Sequence, residues 1–182
     1  MDNNRSGNSR KAGAARTIVL GVLVALVALA ITGIASAQEN TGLKFRGAIG
    51  VIPVTGVAAN GAVNLNVVRG VNPAGPWRIA DLDADVQSDG HIRVKGRGLL
   101  LAAGNGIGTN AGASVFATLF CGPASTATAH SSNRVALEGD GDFRIDDLLT
   151  PAQPTFCETP VLLIRNGGAS GVWFAAGIPE LK

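Results

Sequence analysis

The clearest strand pattern in the chain is Trp77-Arg-Ile-Ala-Asp-Leu-Asp-Ala-Asp-Val-Gln87, followed by Ser88-Asp-Gly90 and by His91-Ile-Arg-Val-Lys-Gly-Arg-Gly-Leu-Leu-Leu101. In the first part apolar and acidic residues alternate, which places Leu82 and its apolar neighbours on one face of a strand and the aspartates on the other. The last part alternates again, with Ile92 on the inner face and basic residues on the outer face. The Ser-Asp-Gly segment is typical of a tight turn. The pattern therefore predicts a β-hairpin with one buried face.

Short alternating segments recur along the chain, separated by Gly, Pro, Asn and Asp, and long runs of helix-forming residues are missing. Further strands are predicted at 43–49, 62–69, 114–121, 134–138, 142–148, 160–165 and 171–176. Nine short strands with no helix to cross between parallel neighbours favour antiparallel pairing. We therefore expect an all-β fold, an antiparallel β-sandwich of the Ig-like or Greek-key kind.

Residues 1–37 have the three parts of a secretory signal peptide. Residues 1–16 are polar and basic, and residues 17–34 are uncharged and apolar, which predicts a signal helix. Ala35-Ser36-Ala37 is the small-x-small pattern that signal peptidase recognises, so cleavage after Ala37 would make Gln38 the new N-terminus. We predict a secreted, extracellular protein. The alternative is an uncleaved signal anchor that tethers the protein to the membrane, since about 20 uncharged residues can just span a bilayer.

The mature part, residues 38–182, is predicted to be a single domain that is nearly neutral. The whole chain has 15 Lys and Arg against 13 Asp and Glu, and the first 37 residues hold four of the former and one of the latter. A mature net charge of −1 does not indicate the positively charged surface that binds nucleic acid or an anionic membrane. We expect neither partner after signal cleavage. The expected partner is an extracellular or cell-surface ligand, and the sequence leaves the oligomeric state open.

The chain has two cysteines, Cys121 and Cys157. An even number of cysteines in an oxidising compartment predicts a disulfide. In the chain-entropy description, closing a loop of about 37 residues stabilises the fold by about 4 kcal/mol. Two free thiols or a pair of metal ligands are the alternatives, and the absence of a Cys-x-x-Cys motif disfavours a metal.

Two groups of carboxylates are candidate calcium ligands, one along the predicted hairpin and one around a glycine-rich turn. They are Asp81, Asp83, Asp85 and Asp89, and Glu138, Asp140 and Asp142. Calcium needs several oxygens that converge at about 2.4 Å, whereas carboxylates along one straight strand are spaced by roughly 6.5–7 Å and diverge. Cross-strand pairing of the aspartates with Arg93 and Lys95 explains the first group without a metal, and turn chemistry explains the second. We therefore expect no cofactor, with calcium as the open alternative.

The sequence lacks the motifs of nucleophilic catalysis, which needs a base beside a Ser, Thr or Cys. His91 and His130 are its two histidines, and His130 lies in the polar segment 125–133, which predicts a surface loop. No Gly-x-Ser-x-Gly motif is present. Trp77 and Trp173 are expected in the core rather than on a ligand platform. We expect a non-catalytic binding or structural domain, with no catalytic residues. The alternative is a calcium-dependent binder or a small extracellular enzyme that uses the Asp-rich strand and turn.

One segment, Phe45-Arg-Gly-Ala-Ile-Gly-Val-Ile-Pro-Val-Thr-Gly-Val-Ala-Ala-Asn-Gly-Ala62, resembles the opening of CHRD domains. The His-x-His hallmark of those domains is absent, and His91-Ile-Arg93 is its nearest counterpart. The resemblance implies an exported, β-rich module. The chain is also similar to small exported bacterial proteins, at Arg69-Gly-Val71, Gly75-Pro-Trp-Arg-Ile79, the cysteine pair and Gly171-Val-Trp-Phe-Ala-Ala176. This second resemblance implies export and a disulfide but no activity.

Overall fold

The computed structural model of the protein describes residues 42–180. The predicted signal peptide, with Ala35, Ala37 and Gln38, lies outside the described residues. Thirteen β-strands occur between residues 42 and 180, and no helix does. The strands are β1 (Leu43–Gly50), β2 (Val54–Val57), β3 (Val63–Leu65), β4 (Trp77–Arg78), β5 (Asp81–Val86), β6 (His91–Arg97), β7 (Leu100–Leu101), β8 (Ser114–Cys121), β9 (Thr128–Ser131), β10 (Val135–Ala136), β11 (Phe143–Leu148), β12 (Val161–Asn166) and β13 (Trp173–Pro179).

Nine of these strands form one antiparallel sheet in the order β10-β8-β12-β13-β1-β5-β6-β11, with β9 paired to β8. Two small sheets, β2-β3 and β4-β7, complete the fold. The prediction of an all-β, antiparallel fold is confirmed. A two-layer Ig-like or Greek-key sandwich is not shown, because the strands belong to one continuous sheet that curls as a half-barrel. Curling brings distant strands together, and Ser131 and Thr150 exchange two backbone hydrogen bonds of 2.9 and 2.8 Å.

The predicted hairpin is present as β5 and β6, joined by the Ser88-Asp89-Gly90 turn. Along β5 the apolar residues from Leu82 to Val86 are buried, and along β6 Ile92 and Val94 are buried. The alternation of buried and exposed residues covers a shorter stretch than predicted at both ends of the hairpin. The segments beyond the hairpin pair with each other as β4 and β7. Burial of one face therefore orients the outward aspartates and basic residues toward solvent.

The concave side of the sheet holds the hydrophobic core, to which nearly every strand contributes. Trp77 and Trp173 are buried as predicted, and the ring of Trp77 stacks on Phe174 with a centroid distance of 4.1 Å. Gly96 on β6 allows the Phe143 ring to lie flat against the backbone, since a Cβ at that position would lie 2.0 Å from a ring carbon. The core is therefore closely packed at the β6–β11 contact.

Two strands were not predicted, β2 and β9. The prediction of a surface loop at 125–133 is wrong, because β9 pairs with β8 and buries His130. The ring nitrogens of His130 lie 3.0 Å from Thr128 Oγ1 and 2.9 Å from the Pro151 carbonyl oxygen. Polar residues can occupy this strand because its hydroxyls and its imidazole find hydrogen-bond partners there.

The disulfide between Cys121 and Cys157 is confirmed, with a Cα–Cα distance of 4.8 Å. It fixes the proline-rich loop 151–160 to the end of β8. Next to it, the Gly122 amide donates to the Glu158 carbonyl at 2.7 Å and the Thr159 hydroxyl donates to the Gly122 carbonyl at 2.7 Å. A disulfide is compatible with an oxidising compartment.

Candidate functional site

The outer face of β1, β5, β6 and β11 is a ladder of alternating charges. The aspartates of β5 lie across from the basic residues of β6, with Asp83 opposite Lys95 and Asp85 opposite Arg93. The ion pairs within 4 Å are different from those we expected. Arg46 on β1 lies 2.9 Å from Asp85 Oδ1 and 3.3 Å from Asp83 Oδ1. The sequence pattern did not identify Arg46, because its partners lie about 38 residues away.

The two ends of this ladder are also paired. Arg97 lies 2.6 Å from Asp81 Oδ2, and this hydrogen bond lowers the pKa of the Asp81 carboxyl. Asp146 on β11 accepts from His91 and lies 3.4 Å from Arg93, and the hydrogen bond from His91 is the main cause of the lowered pKa of Asp146. Exposed pairs of this kind each contribute little to stability, roughly 0–1 kcal/mol. The basic residues of the ladder therefore neutralise the negative charge of the neighbouring aspartates.

The turn carboxylates have structural partners. Asp89 Oδ1 accepts from the His91 amide at 2.9 Å, and Asp140 Oδ1 accepts from the Asp142 amide at 3.0 Å. Asp142 Oδ1 accepts from the Gly98 amide at 3.0 Å. These are the side-chain-to-backbone bonds typical of Asx turns and of capped strand ends.

The structure brings members of the two predicted calcium groups together. Asp81 and Asp83 share a polar groove of about 560 Å³ with Glu138 and Asp142, and Lys95, Arg97 and Arg144 line the same groove. Asp85, Asp89 and Asp140 do not line it. Within residues 42–180, no three His, Cys, Asp or Glu side chains converge as metal ligands. A calcium site therefore stays a prediction, with three cations competing for the same carboxylates.

The two histidines lie on different strands of the described structure and do not form a shared catalytic centre. His91 contacts Asp146 on the exposed outer face, and neither residue lines the polar groove. His130 is buried, and its ring nitrogens are engaged by Thr128 and Pro151. Each histidine thus has a structural partner.

A second surface, which the sequence analysis did not single out, is the hairpin formed by β2 and β3. Val54 lies opposite Leu65, and Val57 lies opposite Val63. Residues 54 and 57 share a face although they are three apart, because a β-bulge between them shifts the alternation by one residue. Directly opposed residues of an antiparallel pair point to the same side. The bulge therefore gathers four apolar side chains on one face, which we call the hairpin face.

The hairpin face is exposed to solvent. Its four side chains are between 39% and 66% exposed, and the flanking Ile52 and Val67 are 60% and 50% exposed. Residues 47–68 contain no charged residue. The opposite side of the hairpin carries Asn64, opposite Gly56. The strands β2 and β3 pair only with each other among the described strands.

The base of the hairpin is fixed to the domain. The Trp173 indole Nε1 donates to the Asn66 carbonyl at 3.1 Å. Asn66 in turn donates its backbone amide to the Pro53 carbonyl at 2.9 Å and its side-chain amide to the Ile52 carbonyl at 3.0 Å. The two ends of the hairpin are therefore held together on a buried tryptophan, while the hairpin face projects into solvent.

The chain matches no family model, no curated protein and no solved structure. Within residues 42–180, no helix capable of spanning a lipid bilayer occurs.

Proposed function

We propose that this protein is an exported, non-catalytic binding module that acts outside the cytoplasmic membrane and associates through the hairpin face. The observation that carries the proposal is the bulge that places Val54, Val57, Val63 and Leu65 side by side in solvent. An isolated two-stranded hairpin is marginally stable in water, and contiguous apolar patches on soluble proteins mark sites of association. A partner that covers this face would bury the patch.

The partner that best fits the hairpin face is a second copy of the same chain. Residues 47–68 carry no charge, so the face offers nothing to recognise a charged partner, whereas two identical apolar faces are complementary to each other. A lipid surface fits less well, because the segment has no Trp, Tyr, Lys or Arg to anchor it at the membrane interface. The outer edges of β2 and β3, which pair with no other described strand, offer further backbone groups for pairing between copies.

Export is supported by the signal-peptide pattern of residues 1–37 and by the disulfide. The CHRD resemblance of the segment Phe45–Ala62 agrees with a binding role, since CHRD domains are exported β-rich modules and this segment contains β2. N-terminal sequencing of the exported protein checks the processing, and we expect it to begin at Gln38. Retention of residues 1–37 on the purified protein would instead support the uncleaved anchor.

The alternative function, a calcium-dependent binder or an enzyme on the Asp-rich strand, is separated by calcium titration. We expect millimolar Ca²⁺ to leave the melting temperature unchanged, because Arg46 and Arg97 already neutralise the aspartates. A rise in melting temperature that is lost in Asp83→Asn would establish the calcium-dependent binder instead.

Sedimentation velocity over a range of protein concentrations tests the proposed association. The matched pair of variants is Val63→Asp, which places a charge on the hairpin face, and Asn64→Asp, which places the same charge on the opposite side of the same strand. We expect wild type and Asn64→Asp to dimerise and Val63→Asp to stay monomeric. A monomeric wild type at millimolar concentration, or equal dimerisation of both variants, would contradict the proposal.

A further inference from the structure

A cavity of about 720 Å³ lies at the end of the domain where β1 begins and the disulfide-bonded loop 151–160 crosses it. Its walls are mainly apolar and include Leu43, Phe156 and Pro160. Phe156 is 80% exposed, an unusual position for a phenylalanine ring on a monomeric surface. The volume lies in the range of small-molecule sites, which are apolar clefts with a few fixed polar groups.

The walls of this cavity are preformed. The disulfide holds Cys157, and Gln153 Nε2 donates to the Gln87 carbonyl at 2.7 Å. The Gln153 Oε1 atom is buried without a hydrogen-bond partner among the described residues. The loop is thus held at both ends, and a ligand would lose little free energy to ordering it.

Two residues of the wall adopt left-handed backbone conformations that side chains disfavour. Arg69 has φ = 52° and Thr159 has φ = 42°, and for a β-branched threonine this is an outlier. Arg69 stands in a tight turn, Val68 to Val71, at a position usually taken by Asn or Gly. The two residues contact each other, since Arg69 Nη2 donates to the Thr159 carbonyl at 2.9 Å. Strained residues of this kind cluster at ligand sites, and here the strain positions a guanidinium at the cavity wall.

The charged residues around the cavity include more cations than anions. Lys44, Arg69 and Glu180 line it. Glu180 already has a cationic neighbour, because Arg46 Nε lies 3.8 Å from its carboxylate. Within the described part of the chain, neither Lys44 nor Arg69 forms an ion pair with a carboxylate. The cavity therefore combines apolar walls with two cations that have no anionic partner among residues 42–180.

We propose that this cavity binds a small amphipathic anion, with an apolar body against Leu43 and Phe156 and a carboxylate held by Arg69 and Lys44. A guanidinium matches a carboxylate through paired N–H donors, and Lys44 adds a point charge. The hairpin face takes no part in this site.

Isothermal titration of the exported chain with 1-naphthoate tests the proposal, and 1-naphthamide is the matched neutral probe. The two probes share their ring system and differ in charge. We expect 1-naphthoate to bind about tenfold more tightly, as one charge-assisted hydrogen bond contributes. Equal affinities, or no heat with either probe at millimolar concentration, would overturn the assignment.

Single substitutions test whether 1-naphthoate binds in this cavity. Lys44 is exposed, so Lys44→Gln is expected to fold normally and to weaken 1-naphthoate several-fold while leaving 1-naphthamide unchanged. Lys95→Gln removes the same charge from the polar groove on the outer face and is expected to change neither affinity. Phe156→Ala is expected to weaken both probes. Equal effects of the two lysine variants would mean that general charge attracts the anion, and the proposal would be wrong.

Discussion

The indole of Trp173 donates a hydrogen bond of 3.1 Å to the carbonyl of Asn66, and this bond joins the buried core to the base of the exposed apolar hairpin. Trp173 is 3% exposed, whereas the hairpin face is about half exposed. A buried core residue thus fixes the position of a surface whose own strands pair with no other described strand. The hairpin can present apolar side chains to a partner without relying on their burial within the domain.

Trp173→Phe is expected to loosen the hairpin. The variant keeps an aromatic ring in the core but removes the donor to Asn66, a loss of about 1 kcal/mol. Amide hydrogen exchange should accelerate in residues 54–65 more than in β12, and dimerisation should weaken. Trp77→Phe is the control, because Trp77 is also buried and its ring stacks on Phe174. Equal acceleration in both variants would contradict the role assigned to this bond.

Gly96→Ala is expected to lower the free energy of unfolding by roughly 1–3 kcal/mol, because its methyl group would meet the Phe143 ring. Gly75→Ala is the matched control, since no atom lies within 4 Å of the corresponding Cβ position. Urea denaturation of the two variants measures the difference. If Gly96→Ala is as stable as Gly75→Ala, Phe143 does not pack on β6 as described.

Removing the disulfide with Cys121→Ala and Cys157→Ala is expected to cost about 4 kcal/mol, equivalent to roughly 10 °C in melting temperature. The loop 151–160 would lose its covalent attachment to β8. The cavity should then bind 1-naphthoate more weakly even at temperatures where the domain stays folded. Unchanged melting in the double variant, or in wild type under reductant, would contradict the structural role of the bond.

The Asp81–Arg97 pair predicts a pH dependence of stability. Because the pKa of Asp81 lies below its ordinary value of 3.8 in the folded state, the unfolded chain binds the proton more readily. The pair therefore stabilises the protein above pH 3.8, and this contribution is lost as pH falls through the lowered folded pKa. Thermal melts of wild type and Asp81→Asn should differ above about pH 5 and converge toward pH 2.

Added salt provides the control for this pair. Asp81 is exposed, so dissolved ions screen its attraction to Arg97. In about 1 M NaCl the difference between wild type and Asp81→Asn should become small. A difference that grows as the pH falls would have the wrong sign for this interaction.

The β5–β6 hairpin could be predicted from the sequence because its signal is local. Apolar and charged residues alternate with period two, and a Ser-Asp-Gly turn joins the strands. The disulfide could be predicted because the chain offers a single cysteine pair. Both features follow from the types of residue along the chain, and predicting them requires no knowledge of long-range packing.

The hairpin face and the cavity could not be predicted in the same way. Val54 and Val57 are three residues apart, and they share a face because of a bulge that becomes evident when the strand register is known. The cavity depends on contacts between residues such as Arg69 and Thr159, which are 90 positions apart. A long uncharged segment from 47 to 68 was the one available signal for the hairpin face.

If the protein associates through the hairpin face, dilution should change the surroundings of that face. The most direct measurement follows backbone amide chemical shifts of the exported chain as it is diluted from millimolar to micromolar concentration. We predict concentration-dependent shifts confined to residues 52–67, and their disappearance in Val63→Asp but not in Asn64→Asp. Shifts that do not depend on concentration, or shifts on the charged face of β5 and β6 instead, would contradict association through the hairpin face.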